Sequence, residues 1–135
     1  MSVDTTVQSK ERAVGRRKTA AARVQVLKGK GSIVINGKEL KAYFPHVLLQ
    51  QTVLAPLALT GREATLDISV KVAGGGKAGQ AEAIRHGIAR ALIQWDEALK
   101  PVLKAEGYLT RDPRAKERKK FGRRRARRGH QWRKR

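Results

Sequence analysis

The run Gly74-x-Gly76-x-x-Gly79 has the spacing of a dinucleotide-binding turn. It follows an alternating apolar run and opens a helical one, with Asp96 at about the expected distance downstream. In such a turn, backbone N–H groups and a helix N-terminus hold a pyrophosphate. That chemistry also needs the acidic residue to end a second strand. Asp96 falls instead in the same helical run as Ile84, and no strand pattern follows it. A nucleotide-binding P-loop fails too, because Gly79 precedes Gln80-Ala81 rather than Lys and Ser or Thr. What remains is a general anion site of bare backbone, Lys77 and a helix start, suited to a nucleic-acid phosphate. The plainer alternative is that the glycines only make a turn.

Other reactive residue types are scarce. Cysteine is absent, which excludes disulfides, thiolate metal sites and a Cys nucleophile. His46, His86 and His130 lie too far apart for a short metal-ligand motif, so no metal is expected. A helical His86 without a partner reads as packed or solvent-facing. Glu82 and Asp96 are 14 positions apart and form no evident acid–base pair. No serine has a nucleophile-elbow context. An enzyme is not expected, and neither is a cofactor.

The abundant chemistry is charge. The 135 residues carry 31 Lys and Arg against 11 Asp and Glu, a formal net charge of +20. Residues 110–135 hold 14 of those cations and 2 of the acids, a net +12, and can bury too little apolar surface to fold alone. Fully extended, such a segment reaches up to roughly 90 Å. A charge run is usually a solvated face, and Arg16-Arg17-Lys18 alone would prove little. The C-terminal runs Arg123-Arg124-Arg125, Arg127-Arg128 and Arg133-Lys134-Arg135 are mostly Arg, which binds phosphates bidentately and stacks on bases. Trp132 among them suits base stacking. A polyanionic partner is the expectation, with salt dependence of about −0.7 to −0.9 log units per phosphate contacted.

The elements that must position these residues follow from periodicity. Residues 17–27 alternate, with Ala20, Ala22, Val24 and Val26 on one side and Thr19, Arg23 and Gln25 on the other, which predicts a strand opening at the basic cluster. Ile33-Val34-Ile35 predicts a second short strand, and Asn36-Gly37 a tight turn. Phe44-Pro45 opens a helical stretch with Val47, Leu48, Val53 and Leu54 as its apolar side, ended or kinked by Pro56. Leu66, Ile68, Val70 and Val72 alternate with Thr65, Asp67, Ser69 and Lys71 in the clearest strand. A glycine loop at 74–76 leads into a helix from about Gly79. Ala81, Ile84, Ile88, Leu92, Trp95 and Leu99 form its core stripe, and Pro101 ends or kinks it. Strands with segregated helices predict an α+β fold, a small two-layer sandwich with helices on one sheet face. The chain divides into a flexible N-terminus (1–10), a body (11–109) and an extended cationic tail (110–135). No apolar run is long enough for a membrane span, and Met1–Thr6 has no secretory-signal features, so a cytoplasmic setting is expected.

Three segments resemble the universal ninth protein family of the ribosomal small subunit, in its bacterial form. They are Gly15-Arg16-Arg17-Lys18-Thr19-Ala20-Ala21-Ala22-Arg23-Val24, the long run from Gly74 to Leu92, and Leu109-Thr110-Arg111-Asp112-Pro113-Arg114. The likeness extends from about residue 10 to the C-terminus. It implies a sheet of roughly four strands with a left-handed βαβ crossover, an exception to the usual hand. It also implies small-subunit ribosomal RNA as partner, a place in the head of the subunit beside neighbouring proteins, and a C-terminal arm reaching the anticodon stem of the P-site tRNA. On this chain the expected ribosomal-RNA contacts are Arg16, Arg17, Lys18, Arg23, Lys77, Arg85 and Arg90 in the body. In the tail they are Arg111, Arg114, Arg118, Lys119, Lys120, Arg123, Arg124, Arg125, Arg127 and Arg128. The expected tRNA contacts are Arg133, Lys134 and Arg135. The family commonly has a small residue at the position of Glu82 and a serine at that of Arg133. The competing classes are a DNA-architectural protein, an RNA chaperone and a nucleotide-using enzyme. The first lacks a groove-entering wedge or recognition helix, the second predicts no preference among RNAs, and the third predicts saturable nucleotide binding.

Overall fold

Alternating burial runs through the three long strands of the computed structural model, which describes residues 11–111. β1 (Glu11–Arg17) and β2 (Ala20–Lys28) form an antiparallel hairpin closed by Lys18-Thr19. β2 turns Ala20, Ala22, Val24 and Val26 inward, as its alternation predicts. The basic cluster is placed differently from expectation. Arg16 and Arg17 end a separate strand, β1, instead of opening β2. The inward residues of β1 are Ala13, Gly15 and Arg17, so its buried side carries no apolar alternation to read.

The sheet order is β1-β2-β5-β3-β4. β3 (Ile33–Ile35) and β4 (Lys38–Glu39) pair antiparallel around Asn36-Gly37, both at positive φ, which is the tight turn expected of that dipeptide. The sheet has five strands where roughly four were expected, the smallest being the two-residue β4. β3 and β5 (Leu66–Ala73) are the parallel pair. Their crossover runs through α1 (Leu40–Tyr43) and α2 (Val47–Thr60) and is the connection to which the resemblance assigns a left hand.

Two helices depart from their predicted limits. α2 continues past Pro56 to Thr60, because the Pro56 ring is buried with Val53 and Leu57, and that packing offsets one missing backbone bond. Val47 and Leu48, expected on its apolar side, are 60% and 65% exposed. α3 (Lys77–Trp95) buries Ala81, Ile84, Ile88 and Leu92 as predicted, but it ends six residues before Pro101. The Asp96 carboxylate accepts the Ala98 N–H at 3.0 Å and starts a short 3-10 turn, Glu97–Leu99. Pro101 lies in the first turn of α4 (Lys100–Ala105), where a missing N–H costs no helical bond.

α3 lies across β1 and β2 at very short range. A Cβ on Gly15 would stand 1.9 Å from the Ala83 carbonyl oxygen, and one on Gly87 would stand 2.6 Å from a Val24 methyl. Glycine at both crossing points lets backbone meet backbone, although Gly87 weakens the helix interior by about 1 kcal/mol relative to Ala. At the far end of the sheet, one Asp67 carboxylate oxygen accepts the N–H groups of Lys30, Gly31 and Ser32 at 2.9–3.1 Å. These bonds, that from Ser32 foremost, hold the Asp67 carboxyl below its ordinary range and tie the loop after β2 to β5.

Candidate nucleic-acid interface

The basic hairpin turn and the glycine-rich turn meet at one end of the molecule. Gly74 has φ 83, and a Cβ there would come within 2.5 Å of the Thr19 carbonyl oxygen. Only glycine fits this approach, so two runs more than fifty residues apart become one surface. Arg16 and Lys18 are exposed on it, and so is Lys77 at the start of α3. Arg17 points inward, 8% exposed, with its Nε donating to the Glu82 carboxylate of α3. The acid standing where a small residue is usual is therefore the partner of Arg17. Arg17 acts as a brace between hairpin and helix.

Side chains beneath the glycine turn hold its shape. The Tyr43 hydroxyl donates to Gln80 Oε1 at 2.6 Å, and Gln80 Nε2 donates to the Gly74 carbonyl at 3.1 Å. The Asn36 amide donates to the Val72 carbonyl and accepts the Val72 N–H, both at 2.9 Å, extending the sheet by one side chain. Lys77 Nζ lies 3.5 Å from the Tyr43 ring centroid. That cation–π contact holds the ammonium beside the turn without neutralising it.

His86 joins this end to the point where the chain leaves the body. Its Nδ1 accepts the Arg16 N–H at 3.4 Å, which puts the ring proton on Nε2, and Nε2 donates to the Leu109 carbonyl at 3.1 Å. Partial burial pushes the His86 pKa down, and the charges of Arg90 and Arg111 push the same way. His86 is thus a neutral bracket between β1, α3 and the last described turn. Next to it in the chain, the Arg85 guanidinium lies 5.2 Å from the Tyr108 ring centroid. A narrow cleft opens among Arg16, Arg85, His86, Tyr108 and Thr110.

Of the predicted body residues, Arg16, Arg17, Lys18, Lys77 and Arg85 come together here. Arg90 and Arg23 do not. Arg90 Nη1 donates to the outward-facing Val14 carbonyl at 2.5 Å, on the outer edge of β1. Arg23 stands in the middle of β2 on the sheet face away from the helices. Arg111 is exposed at the end of the described chain. Arg114, Arg118, Lys119, Lys120, Arg123, Arg124, Arg125, Arg127, Arg128, Arg133, Lys134 and Arg135 lie outside the described residues. Sequence reasoning missed Asn36, Tyr43, Gln80 and Tyr108. They act by positioning, and only the Asn-Gly turn signal touched one of them.

The dinucleotide reading finds no support in the residues after α3. A turn and the short α4 follow there, and the other Asp96 carboxylate oxygen accepts from Arg62 Nη2 at 3.2 Å. Among the described residues, no three His, Asp or Glu side chains group as metal ligands, and no helix is long and apolar enough to cross a membrane.

Residues 15–135 match the family described as ribosomal protein S9/S16. The chain is also 54% identical over 125 residues to the small ribosomal subunit protein uS9 of Desulfovibrio desulfuricans, covering 93% of this chain and 96% of that one. The family match takes in the hairpin turn, the glycine turn and the arginine-rich C-terminus together. On this footing the chain belongs to the ribosomal protein S9/S16 family, as a bacterial-type, non-enzymatic structural protein of the small ribosomal subunit.

Proposed function

We propose that the end formed by the hairpin turn and the glycine turn binds small-subunit ribosomal RNA through its phosphates. Arg16, Lys18, Lys77 and Arg85 are the contacting cations, and Arg17 holds their supports together. In this reading the chain works as a body (11–109) and a cationic segment (110–135). The segment neutralises packed RNA, and Arg133, Lys134 and Arg135 at its end meet the anticodon-stem backbone of the P-site tRNA. Neighbouring proteins of the subunit head complete the setting.

One observation carries the reading. The glycine turn, packed on the hairpin turn through Gly74, brings Arg16, Lys18, Lys77 and Arg85 to one end of the molecule, and the acid there, Glu82, is already taken by Arg17. Such contacts position an RNA without reading its bases. The conformation of Lys18 supports it further. Its φ of 54 costs a non-glycine residue about 1 kcal/mol or more, so glycine would suit the turn better and lysine is there for its charge.

The test is sedimentation of the tagged protein from lysate at physiological and then raised salt. Co-migration with the small subunit through a moderate salt wash is expected. Release at the first salt increment would overturn the proposal and leave a general polyanion binder.

A further inference from the structure

The helices cover one face of the sheet, and the other face carries cations that the hairpin-end site does not use. Arg23 of β2 stands directly opposite Lys71 of β5. Arg12 of β1 stands opposite Gln25 of β2, diagonal to Arg23, and Gln25 in turn faces Ser69 of β5. A groove of about 390 Å³ runs among Arg12, Arg23, Gln25, Ser69 and Lys71, with Val14 on its flank.

Three features of this groove need explaining. Like charges set directly opposite each other on neighbouring strands destabilise a sheet. Among the described residues, none of the three cations has an ion-pair partner. The carboxylate further along β5, Asp67, has one oxygen taken by three backbone N–H groups, and Glu39 lies on β4, two strands from β5. The residues lining the groove include no aromatic.

We propose that this bare sheet face is a second RNA-binding groove, which grips the sugar–phosphate backbone of a helical segment. It rests on the ribosomal-RNA reading above and adds a separate surface to it. A phosphate between Arg23 and Lys71 turns their repulsion into two attractions, and Arg12 takes a neighbouring phosphate. Gln25 and Ser69 supply neutral donors and acceptors for phosphate or 2′-hydroxyl oxygens. The groove offers splayed single-stranded bases no aromatic platform, and its two guanidiniums and one ammonium match phosphate oxygens. The occupant is therefore backbone. With contacts at the hairpin end and on the sheet face, the body holds two RNA segments apart.

The experiment uses the full chain with Arg12→Gln, Arg23→Gln and Lys71→Gln combined. Its probe is a transcript of the head domain of small-subunit ribosomal RNA, beside an unrelated structured RNA of equal length. The expected result is a loss of affinity of about tenfold or more near 0.1 M salt, with a log–log salt slope shallower by about 2 to 3. Without RNA, the triple variant melts at the parent's temperature or above, since repulsion has been removed. Unchanged affinity and slope in a folded variant overturn the inference. If the parent itself prefers neither RNA, the underlying ribosomal reading fails with it.

Because the chain has no cysteine, a single tethered cleavage reagent gives an independent check. Attached through Ser69→Cys in assembled subunits, it should cut ribosomal RNA. Cutting from Thr19→Cys but not from Ser69→Cys would show the sheet face turned away from RNA and sink the proposal. A protein covering that face would give the same negative result.

Discussion

Lys18 and His86 can each be tested by a single substitution that separates fold from binding. Lys18→Gly relaxes a left-handed backbone and removes a charge. The expected outcome is a melting temperature raised by a few degrees, about 1 kcal/mol, together with weaker binding to small-subunit RNA. A fall in both quantities would make Lys18 a structural residue only. His86 is neutral in the fold, because partial burial holds its pKa below the ordinary histidine value of 6.5. The unfolded chain therefore binds a proton first as pH drops. The contribution of His86 is complete above pH 6.5 and is lost as pH falls from there through the depressed native value. His86→Gln keeps an acceptor for Arg16 and a donor for Leu109. Melting curves across that range should be flatter for the variant than for the parent.

At the scale of elements, the close crossing of α3 over β1 organises the body. Gly15→Ala would drive a methyl into the Ala83 carbonyl. The expected loss is about 3 kcal/mol, the upper end for overpacking, and it reads directly as a lowered thermal midpoint. The same crossing explains which parts of the fold were legible. β2, β5 and most of the α3 stripe could be read because their inward residues are large and apolar, at periods of 2 and 3.6. β1 could not, because its inward side is made of Ala13, Gly15 and a paired Arg17. A strand pressed against a helix backbone has no room for the residues that advertise strands. Pro56 was expected to end or kink α2; the helix does not end there, because the proline ring is part of the core.

At the scale of the whole molecule, the charge of +20 is spread over regions with different tasks. The sequence made the polyanion partner plain, and the motif at Gly15–Val24 and the run from Gly74 to Leu92 carried the family. It did not show that the two meet, since the contact between Gly74 and Thr19 exists only in three dimensions. Nor did it separate Arg23, in the middle of the outward sheet face, from Arg16 at the hairpin end, a distinction that appears only once the strands are paired. Deleting residues 133–135 takes three charges from the chain end. Subunits carrying this deletion should assemble as the parent's do yet release P-site tRNA faster. Equal dissociation rates would remove Arg133, Lys134 and Arg135 from the tRNA contact.

The outer edge of β1 has one further consequence. A strand with open N–H and C=O groups on its free side is a template for another chain. Here the Arg16 N–H is capped by His86 and the Val14 carbonyl by Arg90, both reaching over from α3. The freshly made protein thus carries its own guard against strand-to-strand self-association before RNA is at hand. With His86→Ala and Arg90→Ala combined, light scattering of the RNA-free protein should rise sooner and at lower concentration than for the parent.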